Sequence, residues 1–218
     1  MATGDGDKNK GVELLEGAYA IRTPADSVTY YASFADDYDA VFAGGLGYVY
    51  PRLVADIYQA EAGPVDRPVA DIGCGTGLVA EALDLPPAEV EGFDISSEML
   101  EKAREKGLYG ALHRVDLTAD DPVPGGFGAV VSAGTFTHGH LGPDALPGLL
   151  RFAREDALFV IGINAEHYAA RGFDAALAAL TDAGRITAPA AKSVPVYAGK
   201  DTAHATDRAL VCVFRSRG

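Results

Sequence analysis

The sequence predicts an α/β fold, a three-layer sandwich in which helices cover both faces of a mostly parallel, seven-stranded sheet. Short apolar runs alternate with stretches of helical periodicity from Pro68 onward. Because a strand–helix–strand repeat joins its strands by right-handed crossovers, this alternation predicts parallel strands. The last two apolar runs have only a turn-like stretch, residues 198–209, between them, which predicts an antiparallel C-terminal strand pair.

The predicted strands and helices follow one another along the chain. The apolar runs predict strands at residues 69–72, 90–93, 111–115, 129–131, 158–163, 193–197 and 210–214. Helical spacing predicts helices at residues 78–83, 97–106, 144–153 and 173–183. Ser96 can cap the second of these helices and Gly107 can end it.

The N-terminal part of the chain has a different pattern. Residues 1–11 are polar and are expected to form a disordered leader. Residues 12–63 are the predicted N-terminal helical segment, which Gly63-Pro64 ends. The predicted sheet core takes residues 64–218, and no linker-like stretch divides it. We therefore expect a single domain over residues 12–218.

Charge and composition argue against several classes of partner. The chain has 31 acidic and 18 basic residues and a net charge of -13, a balance that repels nucleic acid and anionic membrane surfaces. No stretch approaches the roughly 18 consecutive apolar residues of a membrane-spanning helix. Two cysteines, Cys74 and Cys212, give no disulfide framework. We expect a cytoplasmic protein without a nucleic-acid or membrane partner, and the oligomeric state stays open.

The sharpest signal is a glycine-rich turn between a predicted strand and a predicted helix. Asp71 lies in the strand, and Gly73, Gly75 and Gly77 follow it at alternate positions. Glycine allows a ligand to approach the backbone closely and adopts positive φ without strain. Ligands of open parallel sheets bind at the carboxyl ends of the strands, where the strand order reverses. The turn therefore predicts a ligand site at that edge of the sheet.

An acidic residue completes this pattern, since Asp94 lies 21 residues after Gly73, at the end of the next strand. A carboxylate at this position can accept hydrogen bonds from both hydroxyls of a ribose. The glycine-rich turn and Asp94 alone would suit NAD as well as S-adenosylmethionine. Asp71 favours S-adenosylmethionine over NAD, because a carboxylate repels a pyrophosphate and attracts a sulfonium and an amino group. Tyr197 and Lys200 are one residue too close for a short-chain dehydrogenase pair, and the chain lacks a separate substrate domain.

Three segments resemble the signatures of class I S-adenosylmethionine-dependent methyltransferases, which have a Rossmann-like fold. They are Asp71-Ile-Gly-Cys-Gly-Thr-Gly77, Gly92-Phe-Asp-Ile-Ser-Ser-Glu-Met-Leu100 and Arg114-Val-Asp-Leu117. The resemblance implies S-adenosyl-L-methionine as the cofactor and S-adenosyl-L-homocysteine as the product. The residues expected to bind the cofactor are Tyr31, Tyr38, Asp71, Gly73, Cys74, Gly75, Gly77, Asp94, Ile95, Met99, Asp116, Leu117, Ser132 and Ala133.

A further stretch, Val130-Val-Ser-Ala-Gly-Thr-Phe-Thr-His-Gly-His140, is more distinctive. With Tyr38-Asp39 upstream and Gly162-Ile-Asn-Ala-Glu-His-Tyr168 downstream, it resembles the methyltransferase-like family named for the Williams–Beuren syndrome chromosomal region. The sequence departs from the wider pattern in two places. Phe127 is followed by Gly128 where an Asp is usual, and residues 154–156 replace a Pro-Gly-Gly turn. We expect both departures to lie at surface turns.

Two histidines are the candidates for chemistry at the transferable methyl group. His138 and His140 follow the fourth parallel strand at its carboxyl end, where a neutral imidazole can accept a proton from a hydroxyl or amine acceptor. The alternative is that they shape or cap a loop. Their spacing fits no standard zinc pattern, so no metal site is predicted.

The leading hypothesis is therefore an enzyme that transfers a methyl group from S-adenosylmethionine to a small-molecule acceptor. A second hypothesis is a non-catalytic protein that keeps the methyltransferase fold for cofactor binding or for interaction, because fold does not fix function. The third is an NAD-dependent oxidoreductase, which the glycine pattern Gly75-Thr-Gly-Leu-Val-Ala80 alone would allow.

Overall fold

A computed structural model describes Gly17, Tyr30, Asp39 and residues 47–119, 121–138, 140–198 and 205–218. The predicted leader and most of the predicted helical segment lie outside the described residues. The seven strands are β1 (Val69–Ile72), β2 (Val90–Asp94), β3 (Ala111–Arg114), β4 (Phe127–Phe136), β5 (Ala153–Asn164), β6 (Ala190–Pro195) and β7 (Arg208–Arg215).

These strands form one sheet in the order β3-β2-β1-β4-β5-β7-β6. The first five strands pair in parallel, whereas β7 runs antiparallel to both β5 and β6. The predicted Rossmann-like α/β fold with its antiparallel C-terminal pair is thus confirmed. From β1 the chain builds β2 and β3 on one side and then crosses to β4 on the other. The strand order reverses between β1 and β4, which is where such sheets open a crevice for ligands.

The described residues form α1 (Tyr50–Glu61), α2 (Leu78–Leu83), α3 (Ser97–Lys106), α4 (Leu146–Leu149), α5 (Ala165–Arg171) and α6 (Phe173–Asp182). The bounds of α2 and α3 are those that the sequence predicts. Ser96 caps α3, because its hydroxyl oxygen accepts a hydrogen bond from the Met99 backbone at 3.3 Å. Gly107 then ends α3 with a φ of 66°.

The predicted helix at residues 144–153 is wrong in extent. A 3₁₀ turn at Pro143–Ala145 and the four-residue α4 occupy its first part, and β5 begins at Ala153. Apolar residues at positions 146, 149 and 150 have helical spacing, but Gly148 lies among them and weakens a longer helix.

Two apolar cores lie on opposite faces of the sheet, because successive side chains of a strand point to opposite sides. Val69 and Val131 pack with Val54 of α1 and Leu83 of α2 on one face. Ile72 and its neighbours on the other face pack with α4 and α6. Asp71 follows the alternation of Val69, so that its side chain belongs to the α2 face.

The two departures from the family pattern lie within strands, so the expectation of surface turns is wrong. Gly128 is buried in β4, and a Cβ atom there would come within 2.5 Å of the Arg67 backbone nitrogen. A larger residue, including the usual Asp, therefore does not fit. Residues 154–156 belong to β5, where Asp156 has a φ of 59° and the pairing with β4 shifts in register.

Candidate active site

The candidate site lies at the carboxyl ends of β1, β2 and β4. The glycine-rich turn follows β1, Asp94 ends β2, and the histidine-bearing segment follows β4. Because β1 is paired with β2 on one side and with β4 on the other, the three strand ends are neighbours. The fold thus brings together the segments in which most of the predicted residues lie. Tyr31 and Tyr38 belong to the residues that the structure does not describe.

The glycine-rich turn is held against β2 by its backbone. The amides of Gly73 and Cys74 donate to the Phe93 carbonyl oxygen at 2.7 and 3.1 Å. Gly73 has a φ of 66°, and a Cβ atom there would clash with the Thr135 side chain. Gly75 has a φ of 53°, but nothing lies within 4 Å of where its Cβ atom would be. The turn therefore needs glycine at position 73 for packing and leaves open space at position 75.

Asp94 faces the glycine-rich turn, as the sequence predicts for a ribose-binding carboxylate. Its Oδ2 atom accepts a hydrogen bond from the Gly75 amide at 2.9 Å, and its Oδ1 atom accepts one from the Ser96 amide at 2.8 Å. Burial raises the pKa of Asp94, while these backbone donors act in the opposite direction. Each oxygen keeps capacity for a further donor, because an ionised carboxylate offers about four lone-pair sites.

Asp71 is the second buried carboxylate of the site, with no exposed surface. The Tyr109 hydroxyl donates a hydrogen bond to its Oδ2 atom at 2.7 Å. The Oδ1 atom is buried and has no hydrogen-bond partner among the residues that the structure describes. Burial raises the pKa of Asp71 to about 7, the hydrogen bond from Tyr109 lowers it and the nearby Asp94 raises it.

The end of β4 carries the two predicted catalytic residues. The rings of His138 and His167 lie 5.3 Å apart, and His167 Nε2 lies 3.0 Å from the Leu141 carbonyl oxygen. Burial lowers the pKa of His140 to about 4, with a smaller contribution from His167. His140 is therefore neutral at physiological pH. Among the described residues, no group of three or more His, Cys, Asp or Glu side chains could hold a metal ion.

Ser132 and Ala133 lie inside β4, because this strand extends to Phe136. Ser132 is fully buried, and its hydroxyl donates to the Ile72 carbonyl oxygen at 2.8 Å. Thr135 donates to the same oxygen at 3.1 Å. Both side chains join β4 to the end of β1, so any contact of Ser132 with a ligand would use its backbone.

The remaining predicted residues surround the end of β2. Met99 is buried at 3 % exposure and Cys74 at 6 %. The Ile95 carbonyl oxygen accepts a hydrogen bond from Arg114 Nε at 3.1 Å. Asp116 Oδ1 accepts hydrogen bonds from the backbone and the hydroxyl of Thr118 at 2.8 and 2.6 Å, which fixes its loop. Leu117, next to it, packs against the core on the α4 face.

Two contacts of the site are absent from the sequence-based prediction. Tyr109 reaches Asp71 from the loop before β3, and a tyrosine between Gly107 and Gly110 carries no strong signal in a sequence. Thr76, inside the glycine-rich turn, donates to Asp39 Oδ1 at 2.6 Å, and Asp39 Oδ2 lies 2.5 Å from Lys106 Nζ. The Tyr38-Asp39 pair was part of the family resemblance, but its sequence did not indicate this contact.

The residues present fit S-adenosylmethionine. Gly75 leaves open space at the turn and Asp94 presents acceptors to a ribose. The Asp71 oxygen that has no partner among the described residues can accept a donor from a positively charged group. A dinucleotide fits less well, because its pyrophosphate would lie near the buried Asp71 carboxylate.

Comparison with known proteins agrees with this geometry. Residues 69–156 match the family described as "Methyltransferase domain". A solved structure, the TehB-like SAM-dependent methyltransferase from Corynebacterium glutamicum, has the same fold with a TM-score of 0.60 and 20% identity. The match covers 87% of this chain and 99% of that one. Residues 69–156 thus match a methyltransferase domain, and the fold is that of solved S-adenosylmethionine-dependent methyltransferases, as the sequence resemblance implies.

Two curated relatives match parts of the chain. Methyltransferase-like protein 27 of Homo sapiens is 37% identical over 141 residues, which are 62% of this chain and 57% of that protein. The match therefore spans less than two thirds of the human protein. The ubiquinone biosynthesis O-methyltransferase of Serratia proteamaculans is 42% identical over 68 residues, which are 31% of this chain and 28% of that enzyme. Within the described part of the chain, no helix has the length and hydropathy to span a membrane.

Proposed function

We propose that this protein binds S-adenosylmethionine at the β1–β2 edge of the sheet and transfers its methyl group to a small-molecule acceptor. The observation that carries the proposal is the position of Asp94, whose two oxygens meet the glycine-rich turn and the start of α3. Backbone donors hold this carboxylate in place, so that its remaining lone pairs are available to ribose hydroxyls. A preorganised acceptor of this kind favours binding because little ordering is left to the moment of association.

When bound, S-adenosylmethionine supplies an electrophilic methyl group on a sulfonium centre. The chain contributes alignment and exclusion of water. Asp94 would orient the ribose and the Oδ1 atom of Asp71 would attract the cationic part of the molecule. The backbone at Ser132 and Ala133 would line its methionine half.

His138 and His140 are the proposed partners of the acceptor. Burial keeps His140 neutral, so that its imidazole can accept a hydrogen bond from an acceptor hydroxyl or amine and orient it. His138 lies beside His167 at the same strand end and is the proposed site for the proton that the acceptor loses.

A small-molecule acceptor is supported by the charge of the chain and by its relatives. A net charge of -13 opposes binding of nucleic acid. One group of relatives carries the name ubiquinone biosynthesis O-methyltransferase, and another relative is named for dimethylation of an amino sugar nucleotide.

Calorimetric titration of the purified protein with S-adenosylmethionine tests the cofactor directly. Asp94→Ala should weaken binding roughly tenfold or more, because a hydrogen bond to a charged acceptor contributes about 1.5–3 kcal/mol. Asp182→Ala is the matched control, since it removes an exposed carboxylate from α6. Its affinity should equal that of the wild type.

The outcomes separate the hypotheses. No heat at near-millimolar S-adenosylmethionine would reject the proposal, and NADH fluorescence that changes on adding the protein would favour the oxidoreductase. Tight cofactor binding without methyl transfer to a broad acceptor panel would favour a non-catalytic protein. His138→Gln that binds cofactor normally but has lost transfer would support the assignment of His138.

A further inference from the structure

The ring of Tyr109 lies next to the glycine-rich turn. It comes from the loop between α3 and β3, and its ring packs against the core on the α2 face. A Cβ atom on Gly77 would lie 3.1 Å from Tyr109 Cε2, and one on Gly92 would lie 3.0 Å from Tyr109 Cε1. Glycine at both positions thus makes room for this ring, which reaches the turn and the end of β1 together.

The Tyr109 hydroxyl holds one of the two Asp71 oxygens and does not reach the other. Its hydrogen bond to Asp71 Oδ2 is 2.7 Å long, whereas Asp71 Oδ1 has no partner in the described ranges of the chain. Buried polar atoms are nearly always hydrogen-bonded, and leaving one unpaired is costly. An acceptor oxygen kept in this state beside a ligand turn indicates a donor that arrives with the ligand.

The charges around Asp71 agree with a cationic donor. Within the described ranges, the titratable groups that face it are Tyr109 from the loop before β3, Cys74 in the glycine-rich turn and Asp94 at the end of β2. None of these groups is a cation, and no cationic side chain of the described residues contributes to the shifted pKa of Asp71. Next to the described residues, a positive charge on the ligand would therefore be the first one close to this carboxylate.

We propose that Tyr109 is a positioning residue of the cofactor site, which fixes Asp71 through one oxygen so that the other receives the positively charged end of the cofactor. This inference rests on the proposed function, because it assumes that the turn binds S-adenosylmethionine or its product. Tyr109 itself need not touch the cofactor. It acts through Asp71 by donating a hydrogen bond that favours the carboxylate form.

The pH dependence follows from this arrangement. Burial raises the pKa of Asp71 to about 7, so that the carboxylate form becomes dominant as the pH rises through neutrality. Affinity for a cationic ligand should rise with it. Loss of the Tyr109 hydroxyl removes a hydrogen bond that lowers this pKa, so the rise in affinity should move to higher pH.

The test compares two ligands in wild-type protein and in Tyr109→Phe, by calorimetry between pH 6 and pH 8. S-adenosylhomocysteine carries the amino group, whereas 5′-methylthioadenosine keeps the nucleoside and lacks the amino acid end. At pH 7 the substitution should weaken the binding of S-adenosylhomocysteine roughly tenfold, in line with the loss of a charge-assisted hydrogen bond. The affinity for 5′-methylthioadenosine should change less than about twofold. The affinity for S-adenosylhomocysteine should recover in part at pH 8.

Tyr58→Phe is the matched control. Its hydroxyl is also buried and donates to the Asp66 carbonyl oxygen at 2.9 Å, at the opposite end of β1. The control should lose stability as Tyr109→Phe does, but it should keep the wild-type affinity and pH profile for both ligands. Thermal unfolding of each variant establishes that the binding measurements concern folded protein.

The results distinguish this inference from the proposed function. If wild-type protein binds neither ligand, the proposed function fails and the inference falls with it. If wild-type protein binds both ligands and Tyr109→Phe weakens both equally, or neither, the cofactor site stands and the positioning role of Tyr109 is overturned. A selective loss for S-adenosylhomocysteine with a displaced pH profile supports it.

Discussion

A buried aspartate lies near each end of β1, and the pKa values of these two aspartates are shifted in opposite directions. Asp66 precedes the strand with 1 % of its surface exposed, and Asp71 lies in the strand with none exposed. Arg215 binds both oxygens of Asp66 at 2.8 and 3.1 Å, and the Gly63 amide adds a third hydrogen bond at 2.8 Å. Asp71 has Tyr109 on one oxygen, and no cationic side chain of the described residues shifts its pKa.

The pKa values follow these surroundings. Burial raises the pKa of Asp66, but the hydrogen bonds from Arg215 and Gly63 outweigh it, so that the net pKa lies below its ordinary value. Burial raises the pKa of Asp71 to about 7, because the hydrogen bond from Tyr109 offsets it only in part. Asp66 thus accepts hydrogen bonds on both carboxylate oxygens at the end of β1 where it stabilises the fold. Asp71 accepts one from Tyr109 on a single oxygen, at the end where a ligand is expected.

The largest expected effect lies at the paired end. Arg215→Met should lower the free energy of unfolding by about 3 kcal/mol, because it leaves the Asp66 charge buried without its partner. Partial exposure of Arg215, at 30% of its side chain, places the effect at the low end of such losses. Urea unfolding at pH 7 measures it, and cofactor affinity should stay unchanged. A loss below about 1 kcal/mol would show that the pair does not have the expected structural weight.

Asp71→Asn should have the opposite effect at high pH. Between the ordinary Asp pKa and about 7, folded wild-type protein keeps a proton that the unfolded chain has released. Its stability should therefore fall as the pH rises through that interval, by at most about 1.4 kcal/mol per pH unit. Asp71→Asn lacks this dependence and should be more stable than wild type at pH 8, by on the order of 2 kcal/mol.

Unfolding curves at pH 5 and pH 8 measure this difference, which should shrink at the lower pH. The affinity of Asp71→Asn for the cofactor should fall in spite of the gain in stability, because a neutral amide does not attract the positively charged end of the cofactor as a carboxylate does. Equal stability of the two proteins at pH 8 would contradict the raised pKa of Asp71.

The smallest expected effect separates backbone strain from ligand contact. Gly75 and Gly184 both have positive φ, at 53° and 69°, and nothing lies within 4 Å of either Cβ position. Alanine at either site should lower the stability by about 1 kcal/mol. Only Gly75→Ala should weaken the binding of S-adenosylmethionine, because its methyl group fills the space at the turn. If Gly184→Ala weakens cofactor binding equally, the loss of stability explains the effect, and the filled space at the turn does not.

Local patterns in the sequence predicted much of the fold. The spacing of apolar residues and the cap at Ser96 predicted α3 at its observed bounds, and the short connection after residue 197 predicted the antiparallel β6–β7 pair. The prediction failed at residues 144–153, where apolar spacing suits a helix but Pro147 and Gly148 favour short turns. It also failed at Gly128, since the Arg67 backbone that excludes a side chain there belongs to another part of the chain.

By itself, the sequence determined where the glycine-rich turn and Asp94 lie, because strand period, glycine spacing and the distance to the next strand are properties of the local chain. Only the tertiary structure decided which carboxylates are paired. Tyr109 reaches Asp71 across 38 residues of sequence, and Arg215 reaches Asp66 across 149. The charge of a buried group depends on water excluded and donors supplied by such distant segments, so it emerges only once the chain has folded.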